Sequence, residues 1–339
     1  MPHTKVTLAD IAKLAGVSTS TVSRALTDSP QISDAVKRHI KTIAAQHHYQ
    51  THLGARNFRL KKSHVAALVL PIDASDGETL SNPFVLEFVG MVGAELRRVG
   101  YNLLLLQDKR ADQQFWESGL VEGFIQLGHG LDLDRLNDLP PEMPFVVWGP
   151  KLPNQHYCTV GIDNLKLAQQ AVEHLIGLGR RRIGIITGTF GQFDTESYLR
   201  FEGYREALDL AGIPFDQDLV TYANFDSQSG YQAAAKLYAQ APDMDAVFAA
   251  HSDVVALTAI EALRERGRVI PDDVAVIGFD NIALGSHFGL PLTTVSQEVQ
   301  TTGARALVDT LMRQIAGETV HPVILEGKLI IRQSCGADQ

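Results

Sequence analysis

Cysteine is nearly missing: Cys158 and Cys335 are the only two in 339 residues. They stand far apart, in no CxxC or Cys/His ligand spacing, which excludes a disulfide framework and a zinc module and makes a reducing cytoplasm the expected compartment. Long hydrophobic runs are absent too. The run Val65–Leu70 is too short to span a bilayer, and the N-terminus lacks the apolar stretch of a signal peptide, so a ligand is expected to be met inside the cell. No GxGxxG follows a strand, and GxxxxGK[ST], GxSxG and HExxH do not occur. The loop GTFGQ at 188–192 has two glycines but no lysine to meet a phosphate, and reads as the wall of a cleft. His39, His47 and His48 read as exposed polar positions with no matching ligand set. Neither a metal, nor an organic cofactor, nor an enzymatic activity is expected.

Positive charge is in overall deficit, 30 Lys and Arg against 39 Asp and Glu, yet it is unevenly placed. Residues 1–63 hold ten basic and three acidic residues, net +7, which leaves −16 on the rest. The total of −9 alone argues against a nucleic-acid protein. By segment it describes a small head able to meet phosphates and an acidic body that stays off them. A hydrophobic content of 45% supports sizeable cores in two or three domains.

The stretch Val6–Leu26, VTLADIAKLAGVSTSTVSRAL, reads as two short helices. Leu8, Ile11, Ala12 and Leu14/Ala15 share one face, and Val17, Val22, Ala25 and Leu26 repeat the pattern. Gly16 supplies the φ > 0 position that ends the first helix, and Ser18 stands where an N-cap belongs. Outside the apolar face of the second helix lie Thr19, Ser20, Thr21, Ser23 and Arg24: hydroxyls and one guanidinium, with no carboxylate. Such a surface suits a helix in the DNA major groove, where hydroxyls serve either base edge and Arg pairs with guanine. An ordinary αα-hairpin is the alternative.

Ser33-Asp34 can cap a third helix running to about His47, whose stripe Val36, Ile40, Ile43, Ala44 closes a three-helix head over residues 1–48. Residues 49–63 form a connector with too little apolar content to fold alone. From His64 onward strands and helices alternate, the pattern of parallel sheets covered on both faces, and two such sets imply two subdomains within 64–339. In doubly wound sheets ligands bind beyond the carboxyl ends of the strands. That rule selects Ile72-Asp73, Trp148, Asp163, Thr189–Gln192, Phe225, Ser252-Asp253 and Asp280-Asn281, with Arg200 opening a following helix. Carboxylates and Arg to bracket hydroxyls, with aromatic faces for the apolar side of a pyranose, make a sugar-like set. Against this, Trp148 reads equally as core, Asp280 as a helix cap, and Asp163 as a structural cap.

VTLADIAKLAGVSTSTVSRAL resembles the N-terminal helix-turn-helix of the lactose-repressor/galactose-repressor family nearly position for position. The resemblance covers nearly all of residues 4–335. It is carried further by Asn82-Pro83-Phe84, VGIDN at 160–164, HLIGLGRRRIGIITG at 174–188, Arg200-x-x-Gly203-Tyr204, IPDDVAVIGFDN at 270–281, LTTVSQ at 292–297 and LIIRQS at 329–334. It implies a DNA-binding head, a hinge and a periplasmic-binding-protein-like core. Its subdomains would be about 64–162 with 293–322, and about 163–292 with 323–335. In the hinge, Ala55-Arg56 matches the family's minor-groove wedge, Phe58 stands where leucine is usual, and Thr51 and His52 replace proline and asparagine; a phenylalanine can unstack a base step. The segment 107–120 is shorter than the family norm, in a subdomain that contributes dimer contacts.

Carried over by residue, the resemblance makes Arg200, Asp280, Phe225 and Ser252 effector-binding, with Phe84 on the opposite wall; Asp73 and Trp148 complete the expected site. Thr19, Ser20 and Arg24 would read bases, while Thr7, Ser23 and nearby lysines hold phosphates, with Ser18 and Thr21 on the same face. The expectation is a homodimeric, cytoplasmic repressor on a palindromic operator, controlled by a mono- or oligosaccharide. The alternatives are a purine-like co-repressor in the same fold, or a cytoplasmic sugar-binding module whose basic head contacts a protein.

Overall fold

The computed structural model describes residues 6–47, 49, 62–70, 80–106, 112–129, 133–189, 195–287 and 289–337. The chain forms two compact units, Met1–Ser63 and His64–Gln339. The expected hinge residues Thr51, His52, Ala55, Arg56 and Phe58, and the cleft candidates Ile72, Asp73 and 190–192, lie outside the described residues.

In the head, α1 (Leu8–Ala15) starts on a capping box: Asp10 N–H donates to the Thr7 hydroxyl at 3.3 Å, and Thr7 N–H donates to the Asp10 carboxylate at 2.9 Å. It stops at Gly16 with φ 63°, and Ser18 accepts from Thr21 N–H at 3.1 Å to open α2 (Thr19–Leu26). With α3 (Asp34–Gln46) these helices enclose Ile11, Val22, Ala25 and Ile40, all without solvent exposure. So small a core can afford no polar insertion.

The second unit carries two six-stranded sheets. The first is built from β1 (Val65–Val69), β2 (Asn102–Leu106), β3 (Gly123–Leu127), β4 (Phe145–Trp148), β5 (Cys158–Ile162) and β11 (Val323–Leu325), in the order β11-β5-β4-β3-β1-β2. The second holds β6 (Ile183–Thr187), β7 (Val220–Tyr222), β8 (Ala246–Ala249), β9 (Ala275–Asp280), β10 (Thr293–Ser296) and β12 (Lys328–Ile330), in the order β12-β10-β9-β8-β6-β7. All pairings are parallel except β10 with β12.

Helices cover both faces. On the first sheet, α4 (Pro83–Arg98) and α11 (Ala304–Ile315) bury Ala66, Leu68, Val146 and Val160, while the opposite face packs Phe124, Phe145 and Val147 with α5 (Asp112–Glu117) and α6 (Leu133–Asn137). On the second sheet, α7 (Asn164–Gly177) and α8 (Thr195–Leu210) take one face, α9 (Ser227–Gln240) and α10 (Asp253–Arg264) the other. Gly203 explains part of the Arg200-x-x-Gly-Tyr motif: a Cβ there would overlap the Leu165 carbonyl, so only glycine lets α7 and α8 approach this closely. Tyr204, fully buried beside it, donates its hydroxyl to the Ile183 carbonyl at 2.9 Å.

Strand pairing corrects the expected partition of the core. β10, expected with the first subdomain, pairs with β9 in the second sheet, and β11, expected with the second subdomain, pairs with β5 in the first. A parallel neighbour in register holds each strand, whatever the chain segment before it belongs to.

Candidate functional site: an effector cleft and a recognition helix

In the head, the α2 surface presents the expected groups, with their hydroxyls partly interlocked. Ser18 Oγ lies 2.8 Å from Ser20 Oγ and 2.9 Å from Thr21 Oγ1, so these three form a fixed hydroxyl cluster at the helix start. Thr19 and Arg24 are exposed, Ser23 is half-buried, and Arg24 makes no ion pair among the described residues. Thr7 differs from expectation: its hydroxyl donates to Asp10 at 2.7 Å, so the side chain that was to hold a phosphate closes a helix cap instead.

In the core, Arg200 sits on α8 with 6% exposure. Its Nε donates to Asn164 Oδ1 at 2.8 Å, and Nη1 to the carbonyls of Ala250 at 2.9 Å and His251 at 3.2 Å. Its Cζ lies 3.6 Å from the centre of the Phe279 ring, a cation–π contact in a desolvated setting. Asp163 is the N-cap of α7, accepting from Lys166 N–H at 3.0 Å, and the neighbouring Asn164 is the residue that orients the guanidinium.

Asp280 is the last residue of β9. Its backbone has φ 115° and that of Asn281 φ 57°, sparsely populated conformations costing on the order of 1–3 kcal/mol each, of the kind found at ligand sites. Gln297 Nε2 donates to its carboxyl at 2.6 Å. Gln297 is oriented in turn by Trp148, whose indole Nε1 donates to Gln297 Oε1 at 3.4 Å. Because an indole only donates, the amide oxygen must face Trp148 and the amide NH2 must face Asp280. Trp148 is therefore corrected from a stacking wall to a buried anchor: 4% exposed, it packs 5.7 Å from Phe88, which meets Phe84 at 6.2 Å.

Asp253, at the start of α10, is fully buried and accepts from Thr294 Oγ1 at 2.6 Å and Ile282 N–H at 2.9 Å. Burial, then the nearby Asp280, pushes its carboxyl well above the usual range. Burial likewise raises Asp280, partly offset by Arg200, to about 7. Ser252 is 2% exposed and accepts from Val255 N–H at 3.3 Å. Its oxygen is thus committed to capping α10, where it was expected to face an effector.

Residues that strand-end reasoning missed complete the cleft. His251 lies under Phe225, ring centres 4.0 Å apart; burial, then Arg200, lowers it to about 3, so the imidazole is neutral. His129, two residues past β3, has its Nδ1 3.4 Å from Glu196 Oε1 in the first turn of α8. Burial raises the Glu196 carboxyl, but the His129 hydrogen bond and charge more than reverse this and leave it below its ordinary value. Gly149 makes room: a Cβ there would lie 2.6 Å from the His129 ring and 3.0 Å from Glu196 Oε1. On the other flank, Glu87 of α4 accepts from Ala283 N–H at 2.9 Å and Gln300 Nε2 at 2.7 Å. Nε2 of both His129 and His251 is buried without a partner among the described residues, the condition of groups kept for a ligand.

The arrangement offers buried carboxyls, the neutral imidazole of His251 and aromatic faces between two sheets, on a chain that also carries an exposed, hydroxyl-rich recognition helix. Comparison with known proteins agrees with both halves. Residues 7–52 match the family described as bacterial regulatory proteins, lacI family, and residues 172–335 match the periplasmic binding protein-like domain. The HTH-type transcriptional regulator CelR of Thermobifida fusca is 35% identical over 340 residues, covering 97% of this chain and 98% of that one. The HTH-type transcriptional repressor CytR of Escherichia coli (strain K12) is 31% identical over 349 residues, covering 99% and 98%. Among solved structures, a CelR–cellobiose complex is similar at 33% identity and TM-score 0.70, covering 97% of this chain and 99% of that one. The lac repressor dimer bound to operator and the anti-inducer ONPF shares the fold at 21% identity and TM-score 0.84, covering 98% and 99%. With the helix-turn-helix and the two-sheet core both in place, the chain belongs to the lacI family of bacterial transcriptional regulators, DNA-binding proteins of helix-turn-helix type.

Proposed function

We propose that this regulator is a homodimeric, cytoplasmic repressor, without enzymatic activity, whose grip on a palindromic operator is set by a neutral mono- or oligosaccharide in the core cleft. The observation that carries the effector class is the chain Trp148–Gln297–Asp280 beside Arg200: a carboxyl held at a strand end by a fixed amide donor, in a core that also offers the Phe225 ring over His251, is chemistry suited to sugar hydroxyls. Similarity to the CelR–cellobiose complex supports the same class. Dimerisation is supported by apolar surface at one sheet edge, with Leu105 of edge strand β2 at 41% exposure, and Leu86 and Met91 of α4 at 54% and 38%. Two heads on one palindrome combine both half-sites, which a single head of this size needs for specificity.

A thermal-shift screen of mono- and disaccharides, purines and sugar phosphates, followed by gel shifts with the hits, tests the reading. A sugar should stabilise the protein and change operator affinity, and the operator complex should weaken steeply with salt. Stabilisation by a purine alone would replace the sugar with a purine-like co-repressor. Salt-independent or absent DNA binding would leave only a sugar-binding module with a protein partner.

For the head, Arg24→Ala should cost about 1–3 kcal/mol at the operator and little on random DNA, relaxing preference at one base pair. An equal loss on both DNAs, measured side by side, would reassign Arg24 to phosphate.

A further inference from the structure

The three hydroxyls at the start of α2 constrain one another. Ser18 Oγ accepts from Thr21 N–H at 3.1 Å and also lies 2.8 Å from Ser20 Oγ and 2.9 Å from Thr21 Oγ1. A hydroxyl oxygen carries one proton and two lone pairs. The helix cap takes one lone pair of Ser18, which leaves one lone pair and one proton for two neighbouring hydroxyls. One neighbour must therefore donate to Ser18 while the other accepts from it. The neighbour that donates inward has spent its proton and turns only lone pairs outward; the other keeps its proton for an outside acceptor. Ser18, expected to touch DNA, has nothing left to offer it. Ser20 and Arg24 are exposed and one helical turn apart, so they share a face, and Thr21 is half-buried beside it.

We propose that this relay fixes Ser20 as a hydrogen-bond acceptor in the major groove, a specificity-determining residue that selects an amino-bearing base. Thr21 gives its proton to a phosphate, which can only accept; Ser18 gives its own to Thr21; Ser20 donates to Ser18 and meets the groove with lone pairs alone. The inference rests on α2 reading base edges and adds what Ser20 reads there. The donors in the major groove are adenine N6 and cytosine N4, whereas guanine and thymine offer acceptors. Each base pair holds one amino base, so an acceptor tells A·T from T·A and C·G from G·C. The operator should carry A or C on the strand that Ser20 faces. A relay running the other way would make Ser20 a donor and place G or T there.

The test is selection from a pool of randomised DNA duplexes, at fixed salt, by the full-length wild type, by Ser20→Ala and by Thr21→Val, which keeps the side-chain shape and removes the hydroxyl. The wild-type half-site should contain a position where A or C is favoured over G or T by roughly fivefold, the worth of one neutral hydrogen bond. Ser20→Ala should flatten that position, which identifies it. In Thr21→Val, Ser18 has both a proton and a lone pair for Ser20, so Ser20 turns either way and the position should admit all four bases. A position that Ser20 fixes as G or T overturns the acceptor assignment and leaves α2 a base reader. An A-or-C preference untouched by Thr21→Val, or a Ser20→Ala profile identical to the wild type, does the same. If the wild type selects no sequence, base reading by α2 falls and the relay with it. Should Thr21→Val fail to fold, the base found at the Ser20 position decides alone, since Ser20 is exposed and its truncation leaves the fold in place.

Discussion

Arg200→Ala will destabilise the core by about 3–5 kcal/mol and abolish its response to effector, the largest single-residue loss expected in this protein. The guanidinium is 6% exposed and ties α8 to two other places in the fold: Asn164 at the start of α7, and the carbonyls of Ala250 and His251 between β8 and α10. Removing it leaves those acceptors buried without donors, takes the cation off the Phe279 ring, and strips Asp280 of the positive charge that offsets its burial. Arg200→Lys should recover only part of the loss, since one ammonium cannot reach acceptors laid out for a planar fork. Urea melts of the three proteins, monitored by far-UV circular dichroism, give the numbers. A loss under about 1 kcal/mol would mean that the site relaxes around the gap, contrary to its packing.

A second large effect lies in pH. In the unfolded chain an aspartyl carboxyl titrates near ~3.9. In the ligand-free core Asp280 is pushed up to about 7, by burial first and against the pull of Arg200. Between those values the folded protein keeps a proton that the unfolded chain has released. The group therefore supports the fold fully below about pH 4, and its contribution is lost as pH rises to about 7, a change of about 4 kcal/mol. Carboxylates held below their ordinary range, Glu196 and Glu298 among them, act in the opposite sense. The difference between two proteins is consequently cleaner than either curve. Asp280→Asn mimics the protonated form, so its stability relative to the wild type should climb as pH is raised from ~4 to ~7 and then level off. Paired urea melts at stepped pH check this, and a flat difference would place Asp280 in a more solvated setting than its 6% exposure implies.

How legible these features were in the sequence depended on whether a residue's role is local. Thr7, Gly16 and Ser18 act on neighbours within a turn, so the head's helices follow from spacing and cap chemistry. The buried strands β1, β3, β4, β6 and β8 are apolar runs and announce themselves. β10, Thr-Thr-Val-Ser, does not: it is buried because Thr293 bonds the Arg332 carbonyl at 3.0 Å and Thr294 bonds Asp253 at 2.6 Å, partners about forty residues away that no local window of sequence contains.

The same division runs through the cleft. Asp280 and Arg200 stand at strand and helix ends, where topology alone directs attention. His129 and Glu196 are 67 residues apart and meet only because two sheets face each other, and α8 begins a turn earlier than its apolar spacing indicates. Trp148 and Ser252 stand at expected positions, yet serve the frame of the site: a large indole and a short hydroxyl next to strand ends are equally suited to holding other side chains. Only the placement of Gln297 and of the α10 amides decides between those uses.

The interleaving of β10, β11 and β12 between the sheets bears on how the protein is made. β11, at residues 323–325, closes an edge of the sheet that β1 opened at residue 65. While the chain leaves the ribosome, the head can fold from its first few dozen residues, but the first sheet stays one strand short until nearly the whole chain has emerged. Synthesis at about 5–20 residues per second leaves that edge open for some tens of seconds. The DNA-binding head is thus complete well before the domain that will govern it, and the nascent core is the stretch most in need of a chaperone's cover.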